Sequence, residues 1–165
     1  MSTTTVGVIG AGVVGSAVIH GLQKLGNEII VHDIKHGTEI EIVAQTEVCF
    51  VCVPTPSMED GKCNTLIVEQ VVAQMANMSY NGIIAIKSTV EPGTTRKLQE
   101  MYPNSKICFV PEFLRERCAL SDFIDNHDLC VIGTEDNQIY EKIKELHGYY
   151  PKKFVQVTST EAELV

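Results

Sequence analysis

Nowhere in these 165 residues does a run of lysine or arginine exceed the pair Lys152–Lys153. A nucleic-acid partner is thereby excluded, since displacing counterions from phosphates takes a basic stripe. The charge balance agrees, because 13 basic and 21 acidic residues leave a formal net charge of −8. Nor is there a stretch of about 18 apolar residues that could span a bilayer. The opening Met1–Thr5 is polar and uncharged, without the apolar h-region of a secretion signal. These absences point to a cytoplasmic protein with no membrane partner and with reduced thiols. Internal repeats, low-complexity tracts and interdomain linkers are missing too. The length suits one domain of the common size, about 100–200 residues.

What is present is enough apolar surface to build a core. The hydrophobic share is 44%, and a chain of this size buries roughly two-thirds of its unfolded surface without metals or disulfides. The six cysteines would suggest bridges in a small secreted protein. Cys49-x-x-Cys52 has the spacing of a zinc or redox half-site, but it lies in Val48–Val53, a run of strand formers. Positions three apart on a strand point to opposite faces, so the two sulfurs do not converge and no metal site is expected. Cys108 and Cys130 sit in similar apolar contexts, and Cys63 and Cys118 in loop-like segments with nothing nearby to activate them.

Short apolar runs alternate with helix-period segments, the pattern of βαβ units on a parallel sheet. Strands are expected at Thr5–Gly10, Glu28–Asp33, Val48–Val53, Gly82–Ser88, Lys106–Val110, Asp128–Ile132 and Lys153–Val157. Most lack alternation, as buried parallel strands do. A helix between the first two strands carries Val14, Ala17, Val18, Gly21, Leu22 and Leu25 on one stripe and stops at Gly26. Further helices are expected over Thr65–Ser79 and Asp136–His147. The connection Ile34–Glu47 is barely long enough for a parallel crossover and should hold a single short helix or a nearly bare loop. Thr158-Ser-Thr-Glu161 reads as a capping box followed by a few helix formers. The expected division is a domain over residues 1–158, with 159–165 the truncated start of a connecting helix.

Gly10-Ala-Gly12-Val13-Val14-Gly15 matches G-x-G-x-x-G. It follows a strand, opens a helix, and has Asp33 at the end of the next strand. In that setting Gly10 permits the tight turn. Gly12 lets a pyrophosphate approach the backbone and the helix N-terminus at Val13 and Val14, and Gly15 lets helix and strand pack closely. Asp33 would hydrogen-bond the adenosine ribose and repel a 2′-phosphate, which favours NAD over NADP. Lys35 and His36 either soften that preference or are solvated loop charges. The fold class is α/β: a doubly wound, Rossmann-type, mostly parallel sheet with helices on both faces, in three layers.

Loops beyond the carboxyl ends of the strands carry the rest, although ordinary turn chemistry enriches the same residue types there. They contain Val53-Pro-Thr-Pro56, Asp60-Gly61, Lys87-Ser-Thr-Val90 with Pro92-Gly-Thr-Thr95, and Pro111-Glu-Phe-Leu-Arg-Glu116 with Ala119-Leu120 and Asp122-Phe123. In this order, over essentially the whole chain, they closely resemble the NAD-binding domain of the UDP-glucose/GDP-mannose 6-dehydrogenase family.

The resemblance implies an oxidoreductase of polysaccharide biosynthesis that takes the C6 hydroxyl of a nucleotide-sugar substrate to a carboxylate, for example UDP-glucose to UDP-glucuronate. It does so in two hydride transfers to NAD, with an enzyme cysteine holding the carbon as a thiohemiacetal and then a thioester. Carried over by motif, Gly10, Gly12, Val13, Val14, Gly15 and Asp33 would bind the dinucleotide. Val53, Pro54, Thr55, Ser88 and Thr89 would line its ribose and nicotinamide side. Thr89 would also help hold the hydrolytic water, and Glu112 would act as general base. Glu112, Phe113, Leu114, Arg115 and Glu116 would touch the sugar nucleotide, Glu116 also lying near the nicotinamide. Without the resemblance, Glu112 and Glu116 read as two acids four apart at a helix start.

The sequence departs from the family at Arg117, usually glycine, and at Asp125–Asp128, where proline and arginine are usual. The family's catalytic cysteine belongs to a later domain, and no cysteine here sits in its glycine-rich motif. NAD binding without turnover is therefore expected. The full-length enzyme would be a homodimer through the long connecting helix, or would need a partner supplying the missing domain. A second reading is a stand-alone NAD-binding regulatory or complementing module, with Thr160–Val165 as its docking edge and an exposed apolar Leu164-Val165 as the signature. A third is a β-hydroxyacid dehydrogenase, against which the Pro111–Glu116 loop argues.

Overall fold

The computed structural model describes residues 3–165, so the first two residues of the polar opening stretch lie outside it. Seven strands form one sheet: β1 (Thr5–Ile9), β2 (Glu28–His32), β3 (Val48–Val51), β4 (Ile83–Ile86), β5 (Lys106–Phe109), β6 (Leu129–Gly133) and β7 (Lys153–Val157). Their order is 2-1-3-4-5-6-7. The first five are parallel, β6 meets β5 antiparallel through the pair Phe109 and Gly133, and β7 runs parallel to β6. Each strand expected from the apolar runs is present, with ends displaced by two residues at most.

Both faces of the sheet are covered, which is why β3 reads Val-Cys-Phe-Val without alternation. Val48 and Phe50 enter one core layer, and Cys49 and Val51 the other. Helices α1 (Val13–Lys24), α4 (Ala119–Ile124) and α5 (Asn137–His147) lie on the first face. Helices α2 (Leu66–Asn77), α3 (Thr94–Met101) and α6 (Ser159–Glu163) lie on the second. The stripe expected on α1 is buried at Ala17, Val18, Gly21 and Leu22 and half-buried at Val14 and Leu25, while α2 buries Val68, Val71, Val72 and Met75 and α5 buries Ile139, Ile143 and Leu146. Cys52 packs against the first layer while Cys49 lies in the second, as strand parity requires, and all six thiols are free.

Three elements differ from the sequence reading. The Ile34–Glu47 connection holds two 3-10 turns, Ile34–His36 and Ile40–Val43, in place of a single helix. Ile40, Val43 and Thr46 are buried there, each three residues after the last, which matches the period of a 3-10 turn better than an α-helical stripe. Helices α3 and α4 carry no long apolar stripe, because α3 has only Leu98 and Met101 as apolar residues and α4 has six residues in all. Tertiary contacts rather than propensity hold such short helices. The capping box at Thr158 is formed in both directions, and Ala162 of α6 is fully buried, whereas Leu164 and Val165 are exposed.

One buried polar ring carries a pH-dependent cost. His147, at the end of α5, is enclosed by Phe50, Phe123 and His127. Its Nδ1 lies 2.8 Å from the Ile143 carbonyl oxygen, to which it donates, and its Nε2 has no partner among the described residues. Burial, with repulsion from Lys87, holds the imidazole pKa down at about 3. The unfolded chain takes up this proton near pH 6.5, so it binds more protons than the folded chain between those values. Stability therefore falls as pH drops from 6.5, by about 1.4 kcal/mol per pH unit for one such group. Denaturant melts between pH 7 and 4.5 should show this loss, and His147→Phe should flatten it. An equal slope in the variant would assign the effect to another group.

Candidate functional site

Strand β1 lies where the strand order reverses, with β2 on one side and β3 on the other. Doubly wound sheets take their ligands in the crevice above such a point. A cleft of about 770 Å³ opens there, walled by Gly10, Gly12, Asp33, Val53, Pro54 and the Ile67 face of α2.

The glycine loop is shaped by contacts no side chain could share. Gly10 has φ +93°, and a Cβ there would lie 2.4 Å from the Cys52 carbonyl oxygen. A Cβ on Gly15 would lie 1.8 Å from the Gly10 carbonyl oxygen, so α1 is pressed directly onto the turn. Gly12 is different, because a Cβ there would meet nothing within 4 Å. It is also the N-cap of α1, with no side chain capping the helix and no acid in its first turn. The amides of Val13, Val14 and Gly15 thus lack intrahelical partners, and the space beside Gly12 at the helix start is open, the arrangement that takes an anion.

Asp33 closes the other side of the cleft. Its Oδ2 accepts from the Ala11 amide at 2.8 Å and its Oδ1 from the Lys35 amide at 2.8 Å. These amides, Ala11 foremost, hold the carboxyl below the usual range. One carboxylate oxygen therefore fixes the glycine loop to the end of β2, and lone pairs remain for a ribose diol.

Across the cleft, Ser88 Oγ donates to the Val53 carbonyl at 2.8 Å and joins the loops after β3 and β4. Cys63 Sγ lies 3.7 Å from the Thr55 carbonyl oxygen and 3.6 Å from that of Thr89, placed there by the bridge between Ser57 and Cys63. The sequence offered no sign of this link, which depends on the distance between two loops. Thr89 itself is exposed.

The Pro111–Glu116 loop is anchored by charge. Lys87 Nζ donates to Glu112 Oε2 at 2.9 Å, and the two side chains are 1% and 6% exposed. The ammonium also lies 5.6 Å from the centre of the Phe50 ring. Burial opposes the charge on Lys87, but the Glu112 carboxylate, with smaller help from the neighbouring Cys130 and Cys52 sulfurs, raises the lysine above its ordinary pKa. Burial pushes the surrounding Cys52, Cys108 and Cys130 thiols up to about 12. Arg115 is turned onto Asp122 through its Nε at 2.9 Å and Nη2 at 2.7 Å, and its amide donates to the same carboxylate. Those bonds hold the Asp122 carboxyl well below the usual carboxylate range.

The expected site residues therefore fall into two groups. Gly10, Gly12, Asp33, Val53 and Pro54 share the main cleft, while Glu112, Phe113, Leu114 and Arg115 border a second hollow of about 310 Å³ together with His127. Val13, Val14, Gly15, Thr55, Ser88, Thr89 and Glu116 line neither. Glu116 opens a 3-10 turn, Glu116–Cys118, so it and Glu112 do not share a helix start. Lys87 and Asp122 were quoted in the motifs, but their partners became visible only in the fold. Asp128 pairs with Lys152 at the surface. Among the described residues no group of three His, Cys, Asp or Glu side chains could hold a metal ion.

Residues 37–150 match the UDP-glucose/GDP-mannose dehydrogenase family, NAD binding domain. The chain is 28% identical over 148 residues to the UDP-glucose 6-dehydrogenase AglM of Haloferax volcanii, covering 80% of this chain and 34% of that protein. A UDP-glucose 6-dehydrogenase of Pseudomonas aeruginosa is 30% identical over 128 residues, with 71% and 28% covered. The solved UDP-glucose dehydrogenase of Pyrobaculum islandicum superposes with a TM-score of 0.86 at 25% identity, covering 99% of this chain and 48% of that one. The chain thus spans less than half the length of each of these proteins.

Two substitutions separate the roles of the glycines. Gly12→Ala should leave the melting temperature unchanged, because its Cβ enters open space, yet weaken dinucleotide binding about tenfold or more. Gly15→Ala should destabilise the fold itself. Calorimetric titration beside thermal melts distinguishes them, and loss of stability in Gly12→Ala would contradict the assignment. For the buried pair, Lys87→Met should cost about 3–5 kcal/mol in denaturant unfolding, and Lys87→Met with Glu112→Leu should recover most of it.

Proposed function

The chain belongs to the UDP-glucose/GDP-mannose dehydrogenase family, whose NAD-binding domain it matches, and we propose that it is the dinucleotide-binding half of a nucleotide-sugar 6-dehydrogenase. The observation that carries this is the uncapped N-terminus of α1, open at Gly12 and facing Asp33 across the cleft. Bound NAD supplies a hydride acceptor. The amides of Val13, Val14 and Gly15 hold its pyrophosphate, and Asp33 takes the adenosine ribose. Val53, Pro54, Thr55, Ser88 and Thr89 border the nicotinamide end. The proposed substrate is a nucleotide sugar placed against Phe113, Leu114, Arg115 and Glu116, its C6 hydroxyl oxidised to a carboxylate by two successive hydride transfers to two NAD molecules, with one water cleaving the thioester to an enzyme cysteine outside these residues. Thr89 helps hold the hydrolytic water, and Glu112 receives its proton with Lys87 as standing counter-charge.

The buried cysteines around Lys87 do not serve as the nucleophile for this chemistry. Cys52, Cys108 and Cys130 stay protonated because burial holds their thiols at about 12. Residues 1–158 then act as the dinucleotide domain, and α6 begins the connection to the part that supplies the thiolate.

The chain has no tryptophan, so NADH fluorescence reports binding without interference. NAD should bind about tenfold or more tightly than NADP, and Asp33→Ser should narrow that gap. NAD with UDP-glucose should give no NADH absorbance. Equal affinity for both dinucleotides, or turnover by these residues alone, would overturn the corresponding part of the reading.

A further inference from the structure

The N-terminus of α3 is capped from a distance. Gly93, its N-cap, has no side chain of its own to offer, and no acid lies in the first turn. The Glu163 carboxylate of α6 takes that place, accepting from the Gly93 amide at 2.5 Å and the Thr95 amide at 2.8 Å across 70 and 68 residues of sequence. A carboxylate on the free amides of a helix start is favoured by both hydrogen bonding and the macrodipole.

The seat of α6 does not require this contact. Ala162 is fully buried, and the missing side chain of Gly133 makes room for it, since a Cβ there would lie 2.6 Å from the Ala162 Cβ and 3.0 Å from the Ser159 Cα. The reciprocal capping box of Thr158 and Glu161 fixes the helix start. What Glu163 adds is a tie to the segment just before α3. That segment is the Ser88–Pro92 loop, whose Ser88 hydroxyl holds Val53 and whose Thr89 carbonyl faces Cys63.

We propose that Glu163 is a positioning residue for the cofactor: from α6 its carboxylate fixes the start of α3 and thereby the Ser88–Pro92 loop at the nicotinamide end of the cleft. The inference rests on the reading above that this loop borders the nicotinamide. It makes the last helix part of the cofactor site without touching the ligand. Any displacement of α6 is transmitted to one end of the dinucleotide only, because the adenosine end is held by Asp33 and the glycine loop.

The test compares NAD with ADP-ribose, which lacks the nicotinamide, by calorimetry on the wild-type chain and on Glu163→Ala and Glu163→Gln. Glu163→Ala should weaken NAD about three- to tenfold and leave ADP-ribose within about twofold, with Glu163→Gln between. Unchanged NAD affinity, or equal weakening of both ligands, overturns the proposal. If Glu163→Ala does not fold, Glu163→Gln decides alone: faster amide exchange at Gly93 and Thr95 with NAD weakened more than ADP-ribose supports the role, and faster exchange with NAD unchanged refutes it. A wild-type chain that binds neither ligand sinks the functional reading itself.

Discussion

The contact between α1 and the turn after β1 is the constraint from which the cleft follows. With no side chain on Gly10 or Gly15, the helix axis comes against the carbonyl of the turn, and the turn comes against the carbonyl of Cys52. This brings the start of α1, the ends of β1 and β3, and Asp33 within reach of one ligand. Moving the helix outward by the width of a methyl group would separate the amides at Val13 and Val14 from Asp33. Hydrophobic packing of Ala17, Val18 and Leu22 beneath the turn supplies the force that keeps the helix down.

A second constraint is electrostatic. The Lys87 and Glu112 side chains are enclosed by Phe50 and by thiols that stay neutral. Neither could be accommodated there alone, since an unpaired charge in such surroundings costs several kcal/mol, about 3–5 when one partner is removed. The pair therefore ties the end of β4 to the loop after β5. The hydroxyl of Ser88, next in sequence, ties the same strand end to the loop after β3. Three consecutive strand ends are thus joined by polar bonds rather than packing, and this is the side on which the nicotinamide is proposed to lie.

Much of this was legible in the sequence, and the limits follow from the physics. The strands could be read because both faces are buried and their apolar runs are uninterrupted. The glycine loop could be read because Gly10 and Gly15 are required by close backbone contacts and Gly12 by the open approach to the helix start, at a fixed spacing along the chain. Helices α3 and α4 could not be read, since one fully buried Leu98 in α3 and six residues in α4 leave no period to detect. The anchoring of Glu112 by Lys87, of Arg115 by Asp122 and of Gly93 by Glu163 joins residues between 7 and 70 positions apart. Such pairs leave no mark in a single sequence, because any acid and any base could be matched with equal ease.

The two bonds that Asp33 makes to backbone amides bear on how the cofactor preference could evolve. Its carboxylate serves two masters, the glycine loop through Ala11 and the dinucleotide that the loop receives. A neutral or basic replacement that welcomed a 2′-phosphate would also release the Ala11 amide and loosen the turn that positions the pyrophosphate. The route from NAD to NADP is therefore not a single step on this scaffold. An intermediate must first find another acceptor for Ala11, and until it does, selection for the new cofactor is opposed by loss of the old binding geometry.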